Sequence, residues 1–241
     1  MPIDNRKIFE TIYREKAWGD GVEIPLSGIG SAPELNKPYV NLVKEIIEKN
    51  DIRTVLDIGH GDWKIWSGYQ FSGREYIGVD VVSSIAQEIK KSVGPLPIRF
   101  QVLDAVTEEL PRADLVLCKD VLQHLSNAQV EIILAKINLF NYVIICNDIQ
   151  VFSFNKALTL IRLILQFRTR ISKIRNGISP FYFTRLNNSD IPTGSWRSID
   201  LNRKPFRKHF INFSVIGKIR YLSSESGIIW KQVTVYRNSV H

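Results

Sequence analysis

A short apolar segment that ends in an acid and leads directly into a glycine turn constrains this chain most. Residues 54–63 read TVLDIGHGDW. An apolar run of this length, followed at once by glycines, predicts a buried strand that opens into a loop at the carboxyl edge of a parallel sheet. Glycine allows the backbone of such a loop to approach a ligand closely. The chain is therefore expected to be an α/β protein with a ligand site at this edge.

The rest of the chain alternates strand-like and helix-like patterns. Strands are expected at 54–58, 76–80, 98–103, 114–118 and 142–146, and helices at 34–49, 84–89 and 127–139. This alternation indicates βαβ units in a doubly wound, mostly parallel sheet. The final part differs, because residues 211–222 and 228–237 read as two strands joined by residues 223–227, the pattern of an antiparallel hairpin.

The length of 241 residues fits a single domain. We expect four segments within it: N-terminal helices and a covering loop at 1–50, a binding core at 51–150, an insertion and acceptor segment at 151–210, and the hairpin at 211–241. Residues 151–183 are dense in apolar and basic side chains, which predicts a helical insertion after the fifth strand. Its basic face is either a solvated lid or packing surface or a patch that contacts an anionic membrane or substrate.

Composition limits the class of protein without choosing a partner. The formal net charge of +8 permits nucleic acid, an anionic membrane face or a phosphorylated ligand. Cys118 and Cys146 lie in apolar runs and are expected to be small buried residues, not a disulfide or zinc site. The start of the chain has no signal-peptide pattern, and no uncharged run reaches the roughly 20 residues of a membrane span. A cytoplasmic location is the expectation, with peripheral contact at the inner membrane face as the alternative.

The charges of the glycine turn decide between cofactors. Asp57 ends the first strand and Asp62 lies inside the turn, where carboxylates would repel a pyrophosphate. Position 64 is Lys64, so the third glycine of a dinucleotide fingerprint is missing. An acid-flanked turn suits a cofactor with a positive end, and S-adenosylmethionine has both an ammonium and a sulfonium.

Two further strands end in acids. Asp80 lies about 20 residues beyond the turn, where a carboxylate can accept both ribose hydroxyls. Asp104 follows the third strand, where it could accept a hydrogen bond from an adenine amino group. Each acid alone could be an exposed strand end or a helix cap. Together the three predict an adenosyl site.

Over residues 54–148 the chain resembles the class I S-adenosylmethionine-dependent methyltransferases. The resemblance is carried by the glycine turn, by Asp80, by VLDA at 102–105 and by ADLVLCKD at 113–120. It implies a seven-stranded Rossmann-like sheet ending in an antiparallel hairpin, with S-adenosylmethionine as cofactor. The residues implied to hold it are Asp57, Gly59, Gly61, Asp62, Asp80, Val81, Asp104, Ala105 and Lys119. The turn departs from the family pattern because Trp63 stands where its final glycine would be.

Other stretches are similar to a narrower bacterial group associated with glycan and surface-polysaccharide biosynthesis. They are GHGDW at 59–63, CKDVLQHL at 118–125, WG at 18–19 with SGIGS at 27–31, and the segments at 187–191 and 194–201. This resemblance implies a hydroxyl of a sugar or glycan intermediate as methyl acceptor, with nucleotide-linked and lipid-linked forms both open. The 27–31 loop is expected to close over the cofactor, to hold a phosphate, or to be a plain connection.

The segment after the fourth strand faces the methyl group in this family. His124 titrates near neutral pH and is the first choice of general base. Asp120 lies four residues earlier, so on a helix the two side chains would share a face. They could orient each other or, with Asp148, bind a divalent ion; His124 could also only contact the cofactor or cap a helix. No metal site is assigned.

Acceptor binding is expected from Trp196, Arg197 and Asp148. The indole could stack on a sugar ring and the guanidinium could hold an acidic group. Two rival functions remain open, a nucleic-acid (RNA) methyltransferase and a membrane-associated scaffold that binds the cofactor without turnover. The Asn/Asp-Pro-Pro-aromatic stretch of base methyltransferases is replaced by Lys119-Asp120-Val121-Leu122, which disfavours nucleic acid.

Overall fold

The structure is a computed structural model that describes residues 4–69, 71, 73–92, 97–150, 187–222 and 229–239. Helices in these ranges are α1 (Asn5–Arg14), α2 (Lys37–Lys49), α3 (Ser83–Ser92) and α4 (Asn127–Ile137). The strands are β1 (Thr54–Ile58), β2 (Glu75–Asp80), β3 (Ile98–Val102), β4 (Leu115–Lys119), β5 (Tyr142–Gln150), β6 (Phe213–Leu222) and β7 (Ile229–Asn238). Short 3₁₀ turns lie at Ile29–Ser31, Lys64–Trp66, Leu122–His124 and Phe206–Phe210.

The strands form one seven-stranded sheet in the order β3-β2-β1-β4-β5-β7-β6. Strands β1 to β5 run parallel, whereas β7 is antiparallel to both β5 and β6. This confirms the predicted doubly wound sheet with its C-terminal antiparallel pair. The chain leaves β1 toward β2 and then crosses to β4 on the other side, so a crevice opens at the carboxyl ends of β1 and β4.

Helices cover both faces of the sheet, as buried parallel strands require. Alternate residues of β1 enter different cores, Val55 on the side of α2 and α3 and Leu56 on the side of α4. Cys118 and Cys146 are buried free cysteines, as predicted, and burial raises the pKa of both thiols. The two layers fix the strand ends that carry the candidate site.

Some element boundaries differ from those predicted. Strand β5 continues to Gln150, four residues beyond the expected end, because β7 pairs with it along its whole length. Helix α2 begins at Lys37 with a proline in its first turn, whereas the pattern suggested residue 34. The predicted insertion at 151–183 and the hairpin loop at 223–227 lie outside the described residues. Within the described ranges, no helix has the length and apolar character needed to cross a membrane.

Candidate active site

A cavity of about 490 Å³ lies at the carboxyl edge of the sheet, where the loops after β1 to β4 meet α1 and the 27–31 loop. All but one of the predicted site residues line it. They are Asp57, Gly59, Gly61, Asp62, Asp80, Val81, Asp104, Ala105, Lys119, Asp120, His124, Asp148 and Trp196. Arg197 does not belong to this lining.

The glycine turn after β1 is enclosed from two sides. Gly59 has φ +70°, and a Cβ there would lie 2.3 Å from Cγ2 of Val121. Gly61 has φ +55°, and a Cβ there would lie 2.3 Å from Oγ of Ser27. Positive φ and close neighbours both demand glycine. The turn is therefore held between the loop after β4 and the 27–31 loop.

The carboxylate of Asp80 is fixed at the end of β2. Its Oδ2 accepts a hydrogen bond from the Gly61 amide at 3.0 Å, and its Oδ1 accepts one from the Val82 amide at 3.0 Å. Each oxygen keeps acceptor capacity, since a carboxylate oxygen can take two hydrogen bonds. Asp80 is thus oriented toward the cavity with one free acceptor position on each oxygen.

Asp57 has structural partners beneath the turn. Its Oδ2 accepts hydrogen bonds from Nε1 of Trp66 at 3.0 Å and from the hydroxyl of Tyr76 at 2.6 Å. Burial raises the pKa of this carboxyl, although both hydrogen bonds oppose the shift. Asp57 therefore anchors the segment that follows the turn as well as lining the cavity.

The 27–31 loop closes one wall of the cavity through Ser27. The Ser27 hydroxyl accepts a hydrogen bond from the Asp62 amide at 2.8 Å and lies 2.9 Å from the hydroxyl of Tyr13. The carbonyl of Gly30 accepts a hydrogen bond from Nζ of Lys119 at 2.8 Å. These contacts place the loop against the glycine turn, the position expected of a covering loop.

A relay of hydrogen bonds runs from Asp104 at the cavity to Thr193, through two buried side chains, Asn5 and Gln129. The Asn5 amide donates to both oxygens of Asp104, at 3.2 and 2.9 Å, and accepts from Nε2 of Gln129 at 2.7 Å. The hydroxyl of Thr193 donates to Oε1 of Gln129 at 2.5 Å. We call Asp104, Asn5, Gln129 and Thr193 the amide relay. Asp104, predicted to meet an adenine amino group, thus already has a partner from α1.

Lys119 and Asp120, at the end of β4, form a charged group with Lys231 on β7 and Asp148 on β5. Asp120 receives Nζ of Lys119 and Nζ of Lys231, each at 2.5 Å. Lys231 also lies 2.8 Å from Oδ1 of Asp148. Burial opposes ionisation of Asp120, but the two lysines outweigh it and lower its pKa to about 2. Asp120 is therefore an anion held between cations.

The expected Asp120–His124 pairing is not formed. Asp120 has φ +59°, and only a 3₁₀ turn at Leu122–His124 follows, so no helix aligns the two side chains. Nδ1 of His124 lies instead 3.0 Å from the carbonyl oxygen of Ser195. The prediction of a shared helical face is wrong because the backbone turns sharply at Asp120.

His124 is kept neutral by its surroundings. Burial lowers its pKa to about 4, although the Ser195 carbonyl, Asp120 and Asp148 favour the charged ring. A carbonyl only accepts, so in the neutral ring Nδ1 carries the hydrogen and Nε2 carries the lone pair. The indole of Trp18 lies over the ring, with 4.6 Å between centroids. The geometry suits a proton acceptor.

The suggested metal site is occupied by an ammonium. Asp120 and Asp148 would be the carboxylate ligands of the metal ion, but the ammonium of Lys231 lies between them. Across the described ranges, no group of three or more His, Cys, Asp or Glu side chains is arranged to hold a metal ion.

The structure corrects the expectation for Arg197. The residue is fully buried, and its guanidinium donates to the carbonyl of Leu122 at 2.9 Å and to Oδ1 of Asn127 at 3.0 Å. It braces the turn that carries His124 instead of facing an acceptor. Trp196 does line the cavity, and its Nε1 donates to Oδ2 of Asp148 at 3.2 Å.

Three important cavity residues were not assigned roles from the sequence. In the sequence, Trp18 belongs only to a stretch similar to the narrower bacterial group, and Asn5 has no signal beyond its place near the start of a helix. Lys231 offered the clearest one, since a lysine interrupts the apolar run of β7. A charge that is buried in a strand is expected to have a partner.

The low pKa of His124 gives an expected dependence of stability on pH. Between pH 6.5 and 4 the unfolded chain binds a proton on this ring that the folded chain does not, so the free energy of unfolding falls as pH falls. We expect about 2 kcal/mol of loss by pH 4.5 from this group. Urea unfolding of the natural protein and His124→Asn at pH 7 and 4.5 measures it. Parallel pH dependence in the two proteins would contradict the shift.

Comparison with known proteins identifies solved structures that share this architecture. No protein-family model and no curated protein matches the chain. Among solved structures, magnesium protoporphyrin IX methyltransferase (ChlM) from Synechocystis PCC 6803 with bound S-adenosylhomocysteine is 14% identical, with a TM-score of 0.60 over 98% of this chain and 100% of that one. N-methyltransferase NodS from Bradyrhizobium japonicum WM9, also with S-adenosylhomocysteine, is 11% identical, with a TM-score of 0.57 over 98% and 99%.

A third structure is 1,6-didemethyltoxoflavin-N1-methyltransferase from Burkholderia thailandensis, with its substrate and S-adenosylhomocysteine bound. It is 13% identical, with a TM-score of 0.60 over 99% of this chain and 92% of that one. At such identities the likeness concerns the fold. The described residues have the Rossmann-like fold of these methyltransferases.

Proposed function

We propose that this protein is an S-adenosylmethionine-dependent methyltransferase that methylates a hydroxyl of a sugar or glycan intermediate. The observation that carries the proposal is the convergence of Asp57, Asp80 and Asp104 with the glycine turn on one cavity. Similar structures with this fold are methyltransferases that hold S-adenosylhomocysteine. Two of them are named for small molecules, magnesium protoporphyrin IX and 1,6-didemethyltoxoflavin, which supports a small acceptor.

The donor would lie across the glycine turn. Asp80 offers one free acceptor position on each oxygen, which matches the two hydroxyls of a ribose. Asp104 and Ala105 line the cavity beyond it, where an adenine would lie, and α1 covers this end through Asn5. The cofactor supplies an activated methyl group, so the protein has mainly to align the acceptor and remove its proton.

The acceptor end contains what a hydroxyl needs. Neutral His124 has an unprotonated Nε2 that can take the hydroxyl proton, and the Ser195 carbonyl stabilises the resulting imidazolium. Trp18 and Trp196 offer aromatic faces of the kind on which sugar rings stack. Asp148 and Gln123, joined by a hydrogen bond of 3.3 Å, supply polar groups for further hydroxyls.

A nucleic-acid acceptor fits this cavity less well despite the positive net charge. Its lining contains six aspartates, at positions 57, 62, 80, 104, 120 and 148, but three lysines, at 64, 119 and 231. A phosphate backbone seeks cationic surfaces, which an acid-rich cavity does not offer. The scaffold and membrane alternative depends on the 151–183 insertion, which lies outside the described residues.

Calorimetric titration with S-adenosylhomocysteine tests the cofactor half of the proposal. We expect micromolar binding to the natural protein and a roughly 10- to 100-fold loss in Asp80→Asn, because two charge-assisted hydrogen bonds are weakened. Asp51→Asn is the matched control, since Asp51 is an exposed acid just before β1, at the opposite edge of the sheet. Absence of binding to the natural protein would overturn the proposal.

A further inference from the structure

Lys231 is a buried cation with no assigned role in the proposed reaction. It lies on β7 directly across from Asp148 on β5 in the antiparallel register. Its side chain is 3% exposed, yet it lines the cavity. A buried lysine in an interior strand is costly unless its charge is paired.

The charge of Lys231 is paired with two carboxylates, Asp120 after β4 and Asp148 near the end of β5. Nζ lies 2.5 Å from Oδ1 of Asp120 and 2.8 Å from Oδ1 of Asp148. Burial alone would discharge the amine, but the two carboxylates outweigh it and raise the pKa of Lys231 above its ordinary value. Lys119 contacts the other oxygen of Asp120. We call Lys119, Asp120, Asp148 and Lys231 the charge cluster; with two cations and two anions, it has no net charge.

The cluster also sets the geometry of the acceptor end. The second oxygen of Asp148 accepts hydrogen bonds from Gln123 and from the indole of Trp196. A Cβ on Gly30 would lie 3.3 Å from Nζ of Lys231 and 3.3 Å from Oδ2 of Asp120, so the 27–31 loop closes directly on the pair. Lys231 therefore joins Asp120, just after β4, to Asp148 on β5, directly beside the loop that covers the cavity.

We propose that Lys231 balances the charges of Asp120 and Asp148, so that the acceptor end of the cavity is neutral and takes an uncharged hydroxyl acceptor. This inference rests on the proposed function and adds the class of acceptor and a positioning residue. Without Lys231 the cluster would carry one net negative charge. That charge would attract ammonium groups, and it would stabilise the sulfonium of the bound methyl donor. Because the sulfonium charge disappears during transfer, such stabilisation favours the ground state over the transition state and slows the reaction.

Paired affinities for S-adenosylmethionine and S-adenosylhomocysteine test this directly, because the two ligands differ by the methyl group and its positive charge. In Lys231→Met the ratio of affinities should shift at least about fivefold toward S-adenosylmethionine. Asp148→Asn leaves one excess positive charge and should shift the ratio the opposite way by a similar factor. The double variant Lys231→Met/Asp148→Asn is neutral again and should return to within about twofold of the natural ratio.

If Lys231 had only a structural role, the affinity ratio would not shift in opposite directions in the two single variants and return to its natural value in the double variant. Lys218→Met, an exposed lysine on the adjacent strand β6, is the control and should leave the ratio unchanged. If Lys231→Met does not fold, Asp148→Asn and the double variant still give the sign of the effect. A ratio that is the same in all variants would overturn this inference. No binding of either ligand to the natural protein would instead overturn the proposed function.

Discussion

Replacing His124 by alanine should lower kcat for methyl transfer by about 10²- to 10⁴-fold, the usual contribution of a general base. Burial lowers the pKa of His124 to about 4, so the ring is neutral at physiological pH and has a lone pair for the hydroxyl proton, although the same shift makes it a weaker base. Turnover can be followed by transfer of a tritiated methyl group to a panel of nucleotide sugars and bacterial surface oligosaccharides. The affinity for S-adenosylhomocysteine should change by no more than about twofold, since we assign His124 to the acceptor end.

Two variants separate the base from its scaffold. In His124→Asn the amide can still donate to the Ser195 carbonyl but cannot take up a proton, so it should be nearly as slow as alanine. His209→Ala removes a histidine on the far side of α4, where it contacts Glu131, and should retain the natural rate. A histidine-to-asparagine variant with natural turnover would remove His124 as the base.

Gly59→Ala should both destabilise the protein and weaken cofactor binding. A residue with a side chain is strained at φ +70°, and the new methyl group would lie 2.3 Å from Val121. Strain of about 1–2 kcal/mol from the backbone and about 1–3 kcal/mol from overpacking gives an expected loss of about 2–5 kcal/mol in the free energy of unfolding. Affinity for S-adenosylhomocysteine should fall at least about tenfold, because displacement of Val121 distorts the turn.

Gly68→Ala provides the matched control. Gly68 has φ +83°, but a Cβ there would meet nothing within 4 Å. It should show the backbone strain alone, about 1–2 kcal/mol, with natural cofactor affinity. Urea unfolding and calorimetry measure both effects. Equal losses of stability in the two variants would show that the contact with Val121 is unimportant.

The parts of this molecule that depend on local pattern could be predicted from the sequence. Asp57 near the end of β1, Asp80 at the end of β2 and Asp104 just beyond β3 lie at the cavity because each strand is a short apolar run followed by a turn. The parallel, doubly wound arrangement of the strands followed from their alternation with helices. The sequence did not predict the proposed charge balance at the acceptor end of the cavity. That balance needs Lys231 on β7, which lies beside Asp148 only because β7 pairs antiparallel with β5.

Two residues show why charge alone was an unreliable guide to the site. Arg197 resembles a ligand-binding side chain in sequence, but its partners are the Leu122 carbonyl and Asn127, which become neighbours only in the folded chain. Asp120 was placed on a helix by its spacing from His124, whereas its positive φ begins a sharp turn. Local spacing carries no information about such backbone reversals.

The amide relay has a thermodynamic consequence. It connects Asp104, at the adenine end, to Thr193, in the segment that holds His124 through a 2.8 Å bond from the Gly194 amide to the His124 carbonyl. A ligand that changes the hydrogen bonding of Asn5, which lines the cavity, would act through Gln129 and Thr193 on the segment that carries His124. Linkage is reciprocal, so the factor by which a bound cofactor changes acceptor affinity is the factor by which a bound acceptor changes cofactor affinity.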